Sequence, residues 1–148
     1  MGADDNGMQL KKELVAFLAK KKIEIIDYNP FLNEGQLYPD IAVEVCKYIL
    51  NHEADRGILI CGTGIGMSIS ANKVPGIRAA VCHDIYSAER AEKSNDAQII
   101  CLGANIIGLE LAKLLLDTWL KSNFMGGPSL PKVERINNYD EEFRNKKY

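Results

Sequence analysis

The chain has 148 residues, of which 47% are hydrophobic, and its formal net charge is −2. This length and composition suit one domain, residues 1–148, with a core of its own. The charge is nearly balanced without a basic face, and no apolar run approaches the roughly 18 residues of a membrane span. We therefore expect neither nucleic acid nor a membrane as a partner.

Helices and strands alternate along the first part of the chain. Apolar residues on one helical face predict a helix at about 8–21, and the apolar run 23–27 is typical of a strand. Turn residues at 29–30 and 33–35 indicate a loop, and Pro39 opens a helix that reaches about residue 52. Residues 4–7 resemble a loop that follows a strand, although residues 1–3 form no more than a stub of one.

The rest of the chain continues this alternation. Strands are predicted at 57–61, 77–82 and 97–102, and helices at about 65–73, 87–93, 109–121 and 131–145. The strand cores are continuous apolar runs, which is typical of a parallel sheet covered by helices on both faces. We therefore predict an α/β three-layer sandwich with a parallel sheet of four to five strands. Ligands bind beyond the carboxyl ends of the strands in such sheets.

Four cysteines lack the Cys-x-x-Cys spacing of a zinc site, so no metal is expected. Cys46, Cys82 and Cys101 lie in apolar runs and fit the role of small buried hydrophobic residues. Such cysteine usage suits a reducing compartment, and we expect a cytoplasmic protein.

Cys61 differs because a glycine-rich turn and a helix start follow it. In Gly62-Thr63-Gly64-Ile65-Gly66 the backbone N–H groups could surround an anion, with Cys61 beside them as a base or nucleophile. A thiolate next to hydrogen-bond donors suits removal of a proton alpha to a carbonyl, because the enediolate that forms needs both.

Two nucleotide-binding motifs and a plain structural turn are the alternatives. The dinucleotide fingerprint expects its third glycine at Met67, although Asp84 stands about where a ribose-binding acid would follow. A P-loop needs Gly-Lys-Ser/Thr after four spacers, and no lysine stands near. The residues alone leave the catalytic loop, the partial dinucleotide match and the structural turn open.

An ordered set of motifs over nearly the whole chain is more specific than the glycine turn. The set is Tyr38-Pro39-Asp40, Gly57-Ile58-Leu59-Ile60-Cys61-Gly62-Thr63-Gly64-Ile65-Gly66, Ala71-Asn72-Lys73, Gly76-Ile77-Arg78-Ala79-Ala80, Tyr86-Ser87-Ala88, Asn95-Asp96-Ala97, Leu102-Gly103-Ala104 and Gly108-Leu109-Glu110-Leu111-Ala112-Lys113. With these motifs the chain resembles the ribose-5-phosphate isomerase B / galactose-6-phosphate isomerase family of sugar-phosphate isomerases. The resemblance implies a Rossmann-like fold, no metal or cofactor, and an active site between two subunits.

The resemblance also implies roles for individual residues. Cys61 corresponds to the base that moves a proton between C1 and C2, Thr63 to a hydroxyl that assists proton movement on the substrate oxygens, and Asp4 to the acid of an N-terminal Asp-His pair. The implied substrate-binding residues are Gly62, Gly64, Ile65 and Gly66, whose amides would hold the enediolate, together with Asn95 and Tyr38.

Several positions depart from the family pattern. Ser94 stands in place of the ring-opening histidine, Asp5 in place of a histidine near the phosphate, and Pro128 and Lys132 in place of two arginines. Asp5 would repel a phosphate dianion unless it is paired or the pose differs, and Lys132 cannot form the bidentate clamp of an arginine. A four-carbon sugar phosphate cannot close the usual furanose, so it would not need the ring-opening group that Ser94 lacks.

His83 follows the predicted strand at 77–82 and so falls at the catalytic edge, either as a solvated loop residue or as a proton shuttle or substrate ligand. The leading hypothesis is a homodimeric or homotetrameric aldose–ketose isomerase of a small sugar phosphate, with the helix at about 131–145 packed on a partner subunit. The alternative is a subunit that depends on a paralogous partner, because the galactose-6-phosphate enzyme of this family is built from two related subunits.

Overall fold

The computed structural model describes residues 1–29 and 35–145, so loop residues 30–34 and residues 146–148 lie outside the described part. The elements in chain order are β1 (Gly2–Ala3), α1 (Met8–Lys20), α2 (Tyr38–Leu50), β2 (Gly57–Cys61), α3 (Ile65–Ala71), β3 (Ala79–Val81), α4 (Ile85–Asn95), β4 (Ile99–Gly103), α5 (Leu109–Lys121) and α6 (Leu130–Asn145).

Four parallel strands form one sheet in the order β1-β2-β4-β3. The central pair aligns Cys61 with Gly103, and β3 aligns Val81 with Cys101. All strands therefore end on the same side of the sheet, which we name the carboxyl edge, and begin on the opposite side, the amino edge. The prediction of a parallel sheet of four to five strands is confirmed, with four strands in the described part of the chain.

The predicted strand at 23–27 is wrong. In its place the two-residue β1 pairs with β2, and the Asp4 N–H extends this pairing to the Ile60 carbonyl (3.1 Å). The segment before Asn29 is attached to Met1, the residue ahead of β1, by two main-chain hydrogen bonds. The Tyr28 N–H donates to the Met1 carbonyl (3.0 Å), and the Met1 amino group donates to the Ile26 carbonyl (2.6 Å). An apolar run predicts burial of one face, and it does not reveal whether a partner strand is available.

Two apolar clusters cover the two faces of the sheet and confirm the three-layer sandwich. Ile58 and Ile60 point to the cluster formed with α1, α4 and α5, whereas Leu59 and Cys61 point to the cluster formed with α2 and α3. This alternation along one strand is the period of two expected for a sheet buried on both faces.

Local signals account for several helix boundaries. Pro39 stands in the first turn of α2, where its missing N–H costs nothing. Asp84 caps α4 by accepting the Ser87 N–H (2.7 Å), so α4 begins at Ile85, two residues before the predicted start. No helix in the described part of the chain combines the length and apolar character that a membrane crossing requires.

Helix α6 lies against the segment ahead of β3. Asp140 accepts the Gly76 N–H (2.8 Å), and Asn137 accepts from the Arg78 guanidinium (2.9 Å). The helix also carries four exposed large apolar side chains, those of Leu130, Ile136, Tyr139 and Phe143. Packing of α6 on a partner subunit stays a prediction.

Candidate active site

Cys61 is the last residue of β2 and lies at the carboxyl edge. Its side chain is buried, with the residue 5% exposed. The Gly64 N–H donates a hydrogen bond to the Cys61 sulfur at 3.1 Å. A donor aimed at the sulfur stabilises negative charge there.

The turn after β2 is hydrogen-bonded to the turn after β4. The Ala104 N–H donates to the Cys61 carbonyl (2.8 Å), and the Asn105 N–H donates to the Gly62 carbonyl (3.0 Å). These bonds extend the β2–β4 pairing beyond the strands, so the glycine turn is held by backbone on its inner side.

Two glycines make this close contact possible. Gly64 has φ +77°, and a Cβ there would stand 3.1 Å from the Leu102 carbonyl carbon. A Cβ at Gly103 would stand 2.8 Å from the carbonyl carbon of Thr63. Neither position has room for a side chain, so the two backbones pack directly against each other.

The outer side of the turn presents backbone donors. The N–H groups of Gly62, Thr63 and Gly66 have no hydrogen-bond acceptor within residues 1–29 and 35–145, whereas the Ile65 N–H is taken by the Thr63 hydroxyl (3.3 Å). Thr63 and Ile65 are exposed. The predicted anion hole therefore has three available amides. The other two amides of the turn are already bonded, that of Gly64 to the Cys61 sulfur and that of Ile65 to the Thr63 hydroxyl.

Tyr38 and Asp4 lie at the same edge of the sheet. A Cβ at Gly66 would stand 2.6 Å from Cε2 of Tyr38, so this half-exposed ring covers the start of α3. Asp4 comes directly after β1, and its carboxylate accepts the Gly7 N–H (3.1 Å). Asp5, the next residue, is exposed.

His83 also lies at the carboxyl edge, just after β3. Strand β4 separates β3 from β2, which carries the thiol. Its Nε2 accepts the Gly103 N–H at 3.0 Å, and Gly103 is the residue paired with Cys61. An imidazole that accepts at Nε2 is neutral and carries its proton on Nδ1. His83 is therefore a backbone-anchored histidine with one N–H left to donate.

Asn95 and Lys132 do not join the residues around Cys61 in the single chain. Asn95 is the last residue of α4, and its carbonyl accepts from Arg78 (3.0 Å) just ahead of β3, at the amino edge. Lys132 is exposed on α6, and no hydrogen bond or ion pair in the described residues joins it to the Cys61 turn. These two positions stand apart from the other predicted site residues.

Two asparagines at the site are absent from the sequence-based prediction. A Cβ at Gly62 would stand 3.0 Å from Nδ2 of Asn105 and 3.7 Å from Cγ of Asn6. Each follows a strand end, β4 or β1, as the glycine turn follows β2. A search for polar residues just after each strand would have found both.

The other three cysteines are unsuited to act as a base, because burial disfavours their thiolate forms. Burial raises the pKa of Cys46 and of Cys82 to about 12. Burial, with a smaller contribution from Cys61, raises the pKa of Cys101 well above its usual range. These side chains stay protonated near neutral pH. Within the described residues no three His, Cys, Asp or Glu side chains are grouped so that they could hold a metal ion.

The close packing of the turn can be tested with a matched pair of variants. Gly35→Ala adds a Cβ at φ +82° with no atom of the described residues within 4 Å, whereas Gly64→Ala adds one at φ +77° against the β4 backbone. We expect Gly35→Ala to cost about 1 kcal/mol from left-handed strain, and Gly64→Ala to cost about 2 kcal/mol or more because backbone must also move. Urea unfolding measures both, and equal losses would contradict direct packing of the turn on β4.

Comparisons with known proteins match the chain to a family model and to curated relatives. A family model described as Ribose/Galactose Isomerase matches residues 1–136. The chain is 54% identical over 144 residues to a ribose-5-P isomerase B of Listeria innocua, covering 97% of both chains. It is 50% identical over 143 residues to a D-erythrulose-4-phosphate isomerase of Pectobacterium atrosepticum, covering 96% of this chain and 94% of that one.

A solved structure extends the similarity to the whole fold. The ribose-5-phosphate isomerase B of Clostridium thermocellum matches with a TM-score of 0.92 and 46% sequence identity, over 96% of both chains. The resemblance predicted from the motifs is thereby confirmed, as is the Rossmann-like α/β fold. On sequence and on structure, the chain belongs to the Ribose/Galactose Isomerase family.

Proposed function

We propose that this protein is a cofactor-independent aldose–ketose isomerase of a small sugar phosphate, with four to six carbons, and that Cys61 is its base. The observation that carries the proposal is the Gly64 N–H donated to the Cys61 sulfur (3.1 Å) at a buried strand end. Two relatives named as sugar-phosphate isomerases support the reaction class.

In the proposed reaction the Cys61 thiolate takes the proton from the carbon next to the substrate carbonyl. The C–H electron pair forms the C=C bond of an enediolate, and the carbonyl π electrons move onto oxygen. The free N–H groups of Gly62, Thr63 and Gly66 hold that oxygen. The Cys61 thiol then returns the proton to the neighbouring carbon. The Thr63 hydroxyl passes the hydroxyl proton from one substrate oxygen to the other. Substrate and product have the same atoms and electrons, so the reaction needs no co-reactant.

Asp4 and His83 lie at the same edge of the sheet as Cys61, one as a proton acceptor and the other as a hydrogen-bond donor. Asp4 offers a carboxylate that can accept a substrate hydroxyl or share its proton. His83 offers one N–H, because its Nε2 already accepts from Gly103. We assign Asp4 to proton handling and His83 to donation toward a substrate oxygen.

The three remaining cysteines support the choice of base and of compartment. Burial raises the pKa of Cys46 and Cys82 to about 12, which disfavours both as bases, and the Gly64 N–H at the Cys61 sulfur favours Cys61. All four thiols are unpaired and buried, which suits a reducing environment, and we propose the cytoplasm.

A four-carbon substrate is the choice that these residues favour. Ser94 replaces the ring-opening histidine that the resemblance leads one to expect, and its hydroxyl accepts from the Arg90 guanidinium. Asp5 is exposed beside Asp4 and disfavours the usual phosphate pose. The Pectobacterium relative, 50% identical, is named for a four-carbon ketose phosphate.

We further propose that a second copy of the chain completes the site, in a homodimer or homotetramer. Asn95 and Lys132 stand apart from Cys61 in one chain, and α6 carries exposed apolar side chains that a partner could cover. A paralogous subunit in place of the second copy is the alternative.

The role of Cys61 is tested by the variant Cys61→Ala. The control is Cys46→Ala, which also removes a buried thiol. We expect Cys61→Ala to lower kcat by about 10³-fold while its thermal unfolding stays near that of the control, because removal of a general base costs about 10²–10⁴ in rate. Isomerisation assays and circular dichroism measure both. A Cys61→Ala enzyme within tenfold of Cys46→Ala would refute the mechanism.

The substrate is tested with a panel of four- to six-carbon sugar phosphates in a coupled assay. We expect kcat/KM on D-erythrulose 4-phosphate to exceed that on D-ribose 5-phosphate, because the four-carbon chain is open and Ser94 cannot assist ring opening. The reverse ranking would contradict the assignment of Ser94 and leave the isomerase class in place.

The shared site is tested by mixing two inactive proteins, Cys61→Ala and Asn95→Ala, after reversible dissociation. If Asn95 of one copy serves Cys61 of the other, mixed dimers contain one intact site and one doubly altered site. Random reassociation should then restore about a quarter of the wild-type activity. Unchanged inactivity of the mixture, with exchange of subunits verified by mass, would contradict a site shared in this way.

A further inference from the structure

A buried lysine outside the proposed chemistry organises the N-terminal side of the site. Lys11 lies on α1 and is only 1% exposed. Its ammonium contacts the Asp27 carboxylate at 2.5 Å and donates to both the side-chain oxygen (3.1 Å) and the backbone carbonyl of Asn29. A lysine this buried is tolerated only when it is paired and hydrogen-bonded, and these contacts meet that requirement.

The Asn29 side chain acts as a strand partner for β1. Its Oδ1 accepts the Ala3 N–H (3.2 Å), and its Nδ2 donates to the Ala3 carbonyl (2.6 Å). One amide therefore satisfies both backbone groups on the side of Ala3 that no strand covers. The Lys11 ammonium at Oδ1 fixes which end of the amide faces the Ala3 N–H.

Asp4 depends on this arrangement because it follows Ala3 directly. A strand of two residues is too short to hold itself in place. On one side β1 is paired with β2, through the Asp4 N–H at the Ile60 carbonyl. On the other side Ala3 is held by Asn29, and the hydrogen bonds of Ile26 and Tyr28 end at Met1. Loss of the Asn29 contacts leaves Ala3 without a partner on its outer side, so Ala3 can shift and the Asp4 carboxylate shifts with it.

We propose that Lys11 is a positioning residue for Asp4, acting through Asn29 and β1. The inference rests on the proposed function, in which Asp4 handles a substrate proton. Misplacement of a reacting group by about 1 Å can cost up to 10²-fold in rate. Lys11 therefore controls turnover without contacting the substrate.

The test compares Lys11→Met with Lys21→Met. Lys21 is the C-cap of α1 and forms an exposed ion pair with Asp117. We expect Lys11→Met to lower kcat about tenfold or more with KM changed less than kcat, and Lys21→Met to leave kcat unchanged. In an Asp4→Asn background Lys11→Met should cause no further loss, because the two changes act through one group. Equal fractional losses in both backgrounds would overturn the proposal, since they indicate a general structural effect.

A second readout does not depend on catalysis. The Asp4 amide is protected by the Ile60 carbonyl, so Lys11→Met should accelerate its hydrogen exchange more than that of Cys61, in the neighbouring strand. Should Lys11→Met fail to fold, Asn29→Ala keeps the Lys11–Asp27 ion pair and should show the same kinetics and exchange. Unchanged exchange at Asp4 in the folded variant would overturn the inference, whereas absence of turnover in the wild-type protein would overturn the proposed function instead.

Discussion

The site depends on direct backbone packing between the turn after β2 and the end of β4. Gly64 and Gly103 leave no space for a side chain between these segments, and the Ala104 N–H holds the Cys61 carbonyl. Once this contact forms, the Gly64 N–H points at the sulfur, and the N–H groups of Gly62, Thr63 and Gly66 have no acceptor among the described residues. The same Gly103 also donates to His83, so the position of the histidine follows from the same contact.

The opposite flank of the site is supported in a different way. β1 has only two residues, and its outer side is satisfied by the Asn29 side chain rather than by another strand. Lys11 and Asp27 supply a buried ion pair behind that side chain. The thiol thus sits on a well-paired central strand, whereas the carboxylate of Asp4 sits on a short strand that relies on side-chain hydrogen bonds.

The family motifs are kept in one part of the site and altered in another. Around Cys61 the residues agree with the family motif, and the structure brings Thr63, Asp4 and Tyr38 to the same edge. The departures are Asp5, Ser94 and the replaced arginines, at positions to which the resemblance assigns phosphate binding and ring opening rather than proton transfer. In the function that we propose, the chain keeps the residues that form an enediolate while its choice of sugar differs, and this is the basis of the four-carbon proposal.

The sequence by itself determined the class of fold, the position of β2, β4 and α5, and Cys61 with its glycine turn. These features depend on neighbours in the chain, since continuous apolar runs, helical periodicity and glycine spacing are local. Only the tertiary structure decided that residues 23–27 form no strand, that Lys11 is buried and that Asn95 lies at the amino edge. Pairing of strand edges and burial of charge depend on segments distant in sequence, and no local pattern contains that information.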